Sequence, residues 1–118
     1  MSLEAFKPIP GFNDYQISSW GRVYNTRTGR FLVPEVHNKG YLRVDLYDIN
    51  GNRCHKKIHR LVAEAFVLNK HGKKQINHID GNNQNNSFTN LEWVTDKENK
   101  DRRKMLIEIL RKVEEVQQ

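Results

Sequence analysis

The chain has 118 residues, 20 of them Lys or Arg and 14 Asp or Glu, for a formal charge of +6 with histidines neutral. Hydrophobic residues at 36% and charged residues at 29% exclude a membrane-embedded protein and a disordered polyelectrolyte, and the length holds one compact domain or two small subdomains sharing a core. The lone cysteine, Cys54, excludes an internal disulfide and a four-cysteine zinc centre, so any metal is left with N and O ligands. No apolar run approaches the ~18 residues of a membrane span, and the opening MSLEAFKPIPGF lacks the apolar core of a secretory signal, so an intracellular setting without a membrane is expected.

The first half reads as short strands and turns. Pro10-Gly11 is a turn signal, and Tyr15 to Ser18 leads through Ser19-Trp20-Gly21 into Arg22-Val23-Tyr24 as a hairpin. Thr26 to Gly29 turns the chain into Arg30 to Val33. From Gly40 the residues alternate, with Leu42, Val44 and Leu46 on one face and Tyr41, Arg43, Asp45 and Tyr47 on the other, the pattern of a half-buried strand. Asn50-Gly51 suits a tight hairpin turn with a return strand from Arg53 to Ile58, which puts Lys56 and Lys57 on opposite faces. At His59 the period changes: Leu61, Val62, Ala65 and Phe66 repeat at helical spacing, with His59 expected to settle the helix start. A polar loop over Asn69 to Lys74 follows.

Two short apolar segments, Ile76 to Ile79 and Leu91 to Val94, then bracket a loop dense in asparagine. Thr95 followed by Glu98 is a capping-box signature, so a helix is expected to start there with Asn99 in its first turn. Strand, long loop, strand and helix would bring His78 close to Asn99. An imidazole that takes a proton near neutral pH, beside oxygen ligands for a hard divalent cation, is what phosphodiester hydrolysis needs. His55 and His59 beside Cys54 have a superficial zinc spacing, but the change from strand to helix between them breaks a common face. Trp93 alternates with Leu91 and is expected in the core.

Asn77-His78-Ile79-Asp80-Gly81, Asn85-Asn86, Asn90-Leu91-Glu92-Trp93-Val94-Thr95 and Asn99 together resemble the HNH nuclease motif, in the branch found in phage and intron homing endonucleases. Lys7 to Phe12, Tyr15 to Ser18 and Gly21-Arg22-Val23 resemble the nuclease-associated DNA-binding module of that branch, and His59 to Ala63 with Phe66 resembles the joining helix. The resemblance covers roughly residues 6 to 100 and implies an α+β fold: a small antiparallel β module over 1–68, a ββα-metal finger over 69–100, and a C-terminal amphipathic helix over 101–118. It implies a DNA endonuclease dependent on a divalent metal, Mg2+ or Mn2+, working on double-stranded DNA in the cytoplasm of a bacterial or phage-infected host. By the same resemblance His78 is the general base, Asn90 braces the loop and orients the histidine, and Asn99 ligates the metal. Asn77 stands where several family members have an aspartate ligand; an amide carries no net charge, so weaker metal affinity is expected. Asp80 is the alternative source of a carboxylate ligand, a tight turn at Asp80-Gly81 being the favoured reading of that residue.

The charge is asymmetric. Residues before Asn77 hold 13 basic and 6 acidic side chains, and the rest hold 7 and 8. Arg22, Arg27, Arg30, Lys39, Arg43, Lys56 and Lys57 form, as a group, the expected DNA-backbone contact set, the alternative being a solvated basic surface. Leu106, Ile109, Leu110, Val113 and Val116 repeat at helical spacing and need a surface, either the same chain or a homodimer partner. The rival to a nuclease is a DNA-binding protein that keeps the scaffold without catalysis; an RNA-binding module has weaker support because no aromatic stacking pattern is present.

Overall fold

The computed structural model describes residues 3–117, with side chains described through 113. Three antiparallel sheets surround one short helix. Strands β1 (Phe6–Ile9), β2 (Phe12–Ser18), β3 (Val23–Asn25) and β4 (Arg30–Phe31) form the first sheet in that order. The second holds β5 (Glu35–Val36), β6 (Leu42–Tyr47) and β7 (Arg53–Lys57), and the third is the hairpin of β8 (Gln75–His78) and β9 (Leu91–Val94). Helix α1 (Ile58–Phe66) joins the second sheet to the third, and α2 (Asp96–Gln117) follows β9.

The alternation expected from Gly40 onward is present: Val44 and Leu46 are buried while Tyr47 is exposed. β7 stops at Lys57, and Ile58 already belongs to the helix, one residue earlier than its periodicity suggests. Ile58 is fully buried beneath the sheets and serves as the first apolar anchor of α1. β1 had no clear strand pattern because its side chains are largely exposed. It tolerates Pro8 because it is an edge strand, where a missing N–H costs no ladder bond.

Helix α1 makes the core continuous. Its Ile58, Leu61, Val62 and Ala63 join Ile9, Tyr15 and Ile17 from the first sheet, Val44 and Leu46 from the second, and Ile76 and Leu91 from the third. Trp93 packs at the edge of this cluster, its Nε1 donating to the Val67 carbonyl at 3.0 Å.

Helix α2 departs from one of the two alternatives raised by its pattern. Its N-terminal part packs on β8 and β9, Leu106 is half exposed beside a cavity it shares with Ile76 and Asn77 of β8, and Ile109, Leu110 and Val113 are exposed, Leu110 at 62%. The geometry explains this: 22 helical residues run about 33 Å, while a four-residue strand is about 13 Å long, so the helix overshoots the hairpin. Packing on the same chain is therefore corrected for Ile109, Leu110 and Val113, and Val116 lies outside the described side chains. Among the described residues no helix is long and apolar enough to cross a membrane.

Leu46 is completely buried where β6 meets α1. Leu46→Ala should cost about 2–5 kcal/mol of stability, read as a lowered urea midpoint with an unchanged slope.

Candidate active site

The hairpin register sets His78 opposite Leu91 and Asn77 opposite Glu92. Alternation along β8 then buries Ile76 and His78 and leaves Gln75 and Asn77 half-buried. Polar groups hold the loop after His78. One Asp80 carboxylate oxygen accepts from the Asn82 backbone N–H at 2.8 Å and from Asn90 Nδ2 at 2.9 Å, and the other accepts from Asn85 Nδ2 at 2.8 Å. These donors hold the Asp80 carboxyl below its ordinary pKa, the Asn85 amide contributing most. Asn90 completes the brace: its Oδ1 accepts from the Asp80 N–H at 3.0 Å, and its Nδ2 also donates to the Asn85 carbonyl at 2.8 Å. Gly81, at φ 76°, takes the left-handed position of the turn.

His78 is enclosed on several sides. Its Nε2 lies 2.8 Å from the Oδ1 of buried Asn86. With an amide oxygen as partner, Nε2 carries the proton and Nδ1 keeps its lone pair. The His59 ring stands edge-on at 5.2 Å and the Tyr41 ring at 5.8 Å, and Tyr41 and His59 are themselves 5.0 Å apart. Asn86 is pressed against the first sheet: a Cβ at Gly21 would come within 2.9 Å of the Asn86 Cβ, and the Phe88 N–H donates to the Ser19 carbonyl at 2.8 Å. The turn at 19–21 thus buttresses the residue that holds the imidazole.

A cavity of about 400 Å³ opens beside His78, lined among others by Lys39, Tyr41, Asn77, Asn99 and Arg103. Asn99 reaches it from the first turn of α2, whose start is capped by Thr95 Oγ1 accepting from the Glu98 N–H at 3.2 Å. Lys39 adopts φ 63°, and its carbonyl accepts from Asn83 Nδ2 at 2.7 Å, which ties the β5–β6 connection to the asparagine loop. Among the described residues no group of three His, Cys, Asp or Glu side chains is placed to hold a metal. Two carboxamide side chains, Asn77 and Asn99, line this cavity, and amide oxygens suit a hard divalent cation that keeps waters and accepts phosphate oxygens rather than a zinc centre.

The seven basic residues expected at DNA stand in different surroundings. Lys39 lines the cavity, and Lys57 lies over the Tyr41 ring at 5.7 Å. Lys56, on the other face of β7, lies over Phe12 at 5.3 Å. Arg22 pairs with Glu4 and stacks on Phe31 at 4.1 Å, Arg27 pairs with Asp14 at 3.5 Å, and Arg43 pairs with Glu35 at 2.5 Å. Arg30 is exposed on β4. Tyr41 and His59 stand beside His78 where the sequence reading did not expect them, and Asn86, read only as part of the motif, is the residue that holds the His78 ring. The expected role of His59 at the helix start is corrected: the helix has no side-chain cap, and the ring turns to His78. His55 bonds Asp45 at 2.5 Å.

Residues 4–47 match the NUMOD4 motif and residues 56–101 match an HNH endonuclease family. The chain is 38% identical over 95 residues to DNA endonuclease I-HmuI of Bacillus phage SP01, covering 80% of this chain and 54% of that one. It is 42% identical over 92 residues to uncharacterized HNH endonuclease L245 of Acanthamoeba polyphaga mimivirus, covering 78% of this chain and 28% of the relative. A solved structure of DNA binding and cleavage by the HNH homing endonuclease I-HmuI matches with TM-score 0.78 and 36% identity, over 86% of this chain and 58% of that one. The chain thus spans about half the phage relative's length and about a quarter of the mimivirus relative's.

Burial pushes the His59 pKa from 6.5 down to about 4, helped by the neighbouring His78 and by the charges of Lys57 and Arg60. Above pH 6.5 both folded and unfolded chains hold it neutral. Between about 6.5 and 4 only the unfolded chain takes up the proton, so stability falls with pH, by at most about 3 kcal/mol, and levels off below. His59→Leu should remove that part of the slope in urea titrations run from pH 7 to pH 4.

Proposed function

From the premise that this chain belongs to the HNH homing endonuclease family, we propose that it is a divalent-metal-dependent endonuclease acting on double-stranded DNA. The observation that carries this is one cavity lined by His78, Asn77 and Asn99, with the far nitrogen of the histidine held by Asn86. His78 serves as general base: its Nδ1 takes the proton of the attacking water while Asn86 stabilises the imidazolium through Nε2. Asn90 acts at one remove, by fixing the loop that carries Asn86. Asn77 and Asn99 would hold Mg2+ or Mn2+ through their amide oxygens. The chemistry such an ion supplies when bound is charge neutralisation at the scissile phosphate and at the departing 3′ oxygen.

The functional division follows the chain. Residues 1–68 hold DNA through the basic group, Lys39 and Lys57 nearest the chemistry; residues 69–100 cleave; and the helix over 101–118 offers its apolar face to a second copy. The setting we propose is phage- or intron-associated and intracellular. One observation favours a second reading, a DNA-binding protein without catalysis: Asn77 brings no charge to the ion. A metal titration separates the two, because simple binding depends steeply on salt but needs no divalent ion.

Supercoiled plasmid incubated with Mg2+ or Mn2+ should convert to open-circle or linear DNA and stop doing so with a chelator. His78→Ala should lower the rate by about 100-fold or more while DNA binding stays near wild type. Equal cleavage by the variant would remove His78 from the role. Sedimentation at rising concentration should show twice the chain mass if the α2 face pairs with a second copy.

A further inference from the structure

A carboxylate presents an oxygen whichever way it turns, whereas a carboxamide presents either an oxygen or an NH2 group. Only the oxygen can ligate a hard cation. An ion site built on Asn77 and Asn99 therefore works only if both amides are prevented from flipping.

The partners of the two NH2 groups supply that restraint. Asn77 Nδ2 donates to Glu92 Oε1 at 2.9 Å, and the same oxygen is ion-paired with the Arg102 guanidinium at 2.5 Å. An ionised carboxylate has no hydrogen to give, so a flipped Asn77 would set two acceptors against each other. Arg102 also offsets the Glu92 charge, which leaves the carboxylate an orienting group rather than a competing ligand. At the second amide, Asn99 Nδ2 donates to Gln75 Oε1 at 3.3 Å. Gln75 is an amide too, but its Nε2 is committed to Asp96 Oδ1 at 2.5 Å, which turns its oxygen to Asn99. Each chain of bonds ends on a carboxylate, and each leaves an asparagine oxygen unclaimed by its orienting partner. Asn77 and Asn99 line the His78 cavity, whereas Glu92 and Gln75 lie outside its lining.

We infer that Glu92, and Gln75 steered by Asp96, are positioning residues that turn the amide oxygens of Asn77 and Asn99 toward the cavity so that the pair can hold a divalent ion. This rests on the metal-dependent reading above. Glu92 makes up for the rotational ambiguity that arises when residue 77 is an amide, and does so without entering the cavity.

The test uses the whole chain with His78→Ala as background and Mn2+ as the probe, followed by paramagnetic broadening of the asparagine side-chain NH2 signals. Asn77 and Asn99 should broaden at lower Mn2+ than the other asparagines. Glu92→Ala and Gln75→Leu should each require at least threefold more Mn2+. Glu92→Gln, whose oxygen can stay on Arg102 and still accept from Asn77, should remain within twofold of the parent; this rescue is not expected of a residue needed only for its charge. Equal broadening in the parent, Glu92→Ala and Gln75→Leu would overturn the inference and leave the metal reading standing. Loss in Glu92→Gln equal to that in Glu92→Ala would overturn the orienting role of Glu92. Absence of selective broadening in the parent would overturn the metal reading and this inference with it.

Discussion

Everything near the cavity depends on the burial of α1. A nine-residue helix has little stability of its own in water, so this one exists because Ile58, Leu61, Val62 and Ala63 are removed from solvent by three sheets at once. Each sheet is also too small to hold a core alone. Helix and sheets therefore specify one another, and the rotation of the helix that buries Ile58 and Val62 also delivers His59 to the side of His78. A neutral, unsolvated ring beside the proposed base follows from the same packing that keeps the chain folded. Its Nδ1 is buried without a protein partner, a cost of the kind that recurs where packing serves a site.

Around that apolar centre the site is assembled almost wholly from short polar side chains. Asp80, Asn85, Asn86 and Asn90 hold the segment after His78, and Asn83 ties it to Lys39. Asparagine suits this work because its amide can donate and accept in the same place. The result is a loop whose shape is determined by bonds within it and whose position is determined by the 19–21 turn pressing on Asn86. The N-terminal sheet and the hairpin are thus mechanically joined at the residue that holds the imidazole.

The parts of the chain visible in the sequence were those governed by local rules. The β2–β3 hairpin, the alternation along β6, the Asn50-Gly51 turn, the helical period from Leu61 and the cap at Thr95 all depend on neighbours within a few residues. The union of His78 and Asn99 at one cavity was legible because strand, loop and helix follow each other directly. Tyr41 and His59 were not legible as site residues: Tyr41 sits on what reads as the outer face of a strand, and His59 on what reads as a helix start. Only the docking of the second sheet against the hairpin gives them their neighbours. Charge is legible only as a total: composition counts Arg22, Arg27 and Arg43 alike, whereas the fold sets each beside an acidic partner, Glu4, Asp14 and Glu35.

The loop between β8 and β9 has one thermodynamic consequence. Most of its order comes from hydrogen bonds among amides and one carboxylate, a favourable enthalpy set against lost chain entropy, with Phe88 as its apolar anchor against Phe66. The core around α1 instead draws on the hydrophobic effect, which is entropic near room temperature and weakens on cooling. The two respond oppositely to cold: the core loosens as the loop tightens. The temperature dependence of an ordered site is thus set by the asparagines as well as by the core.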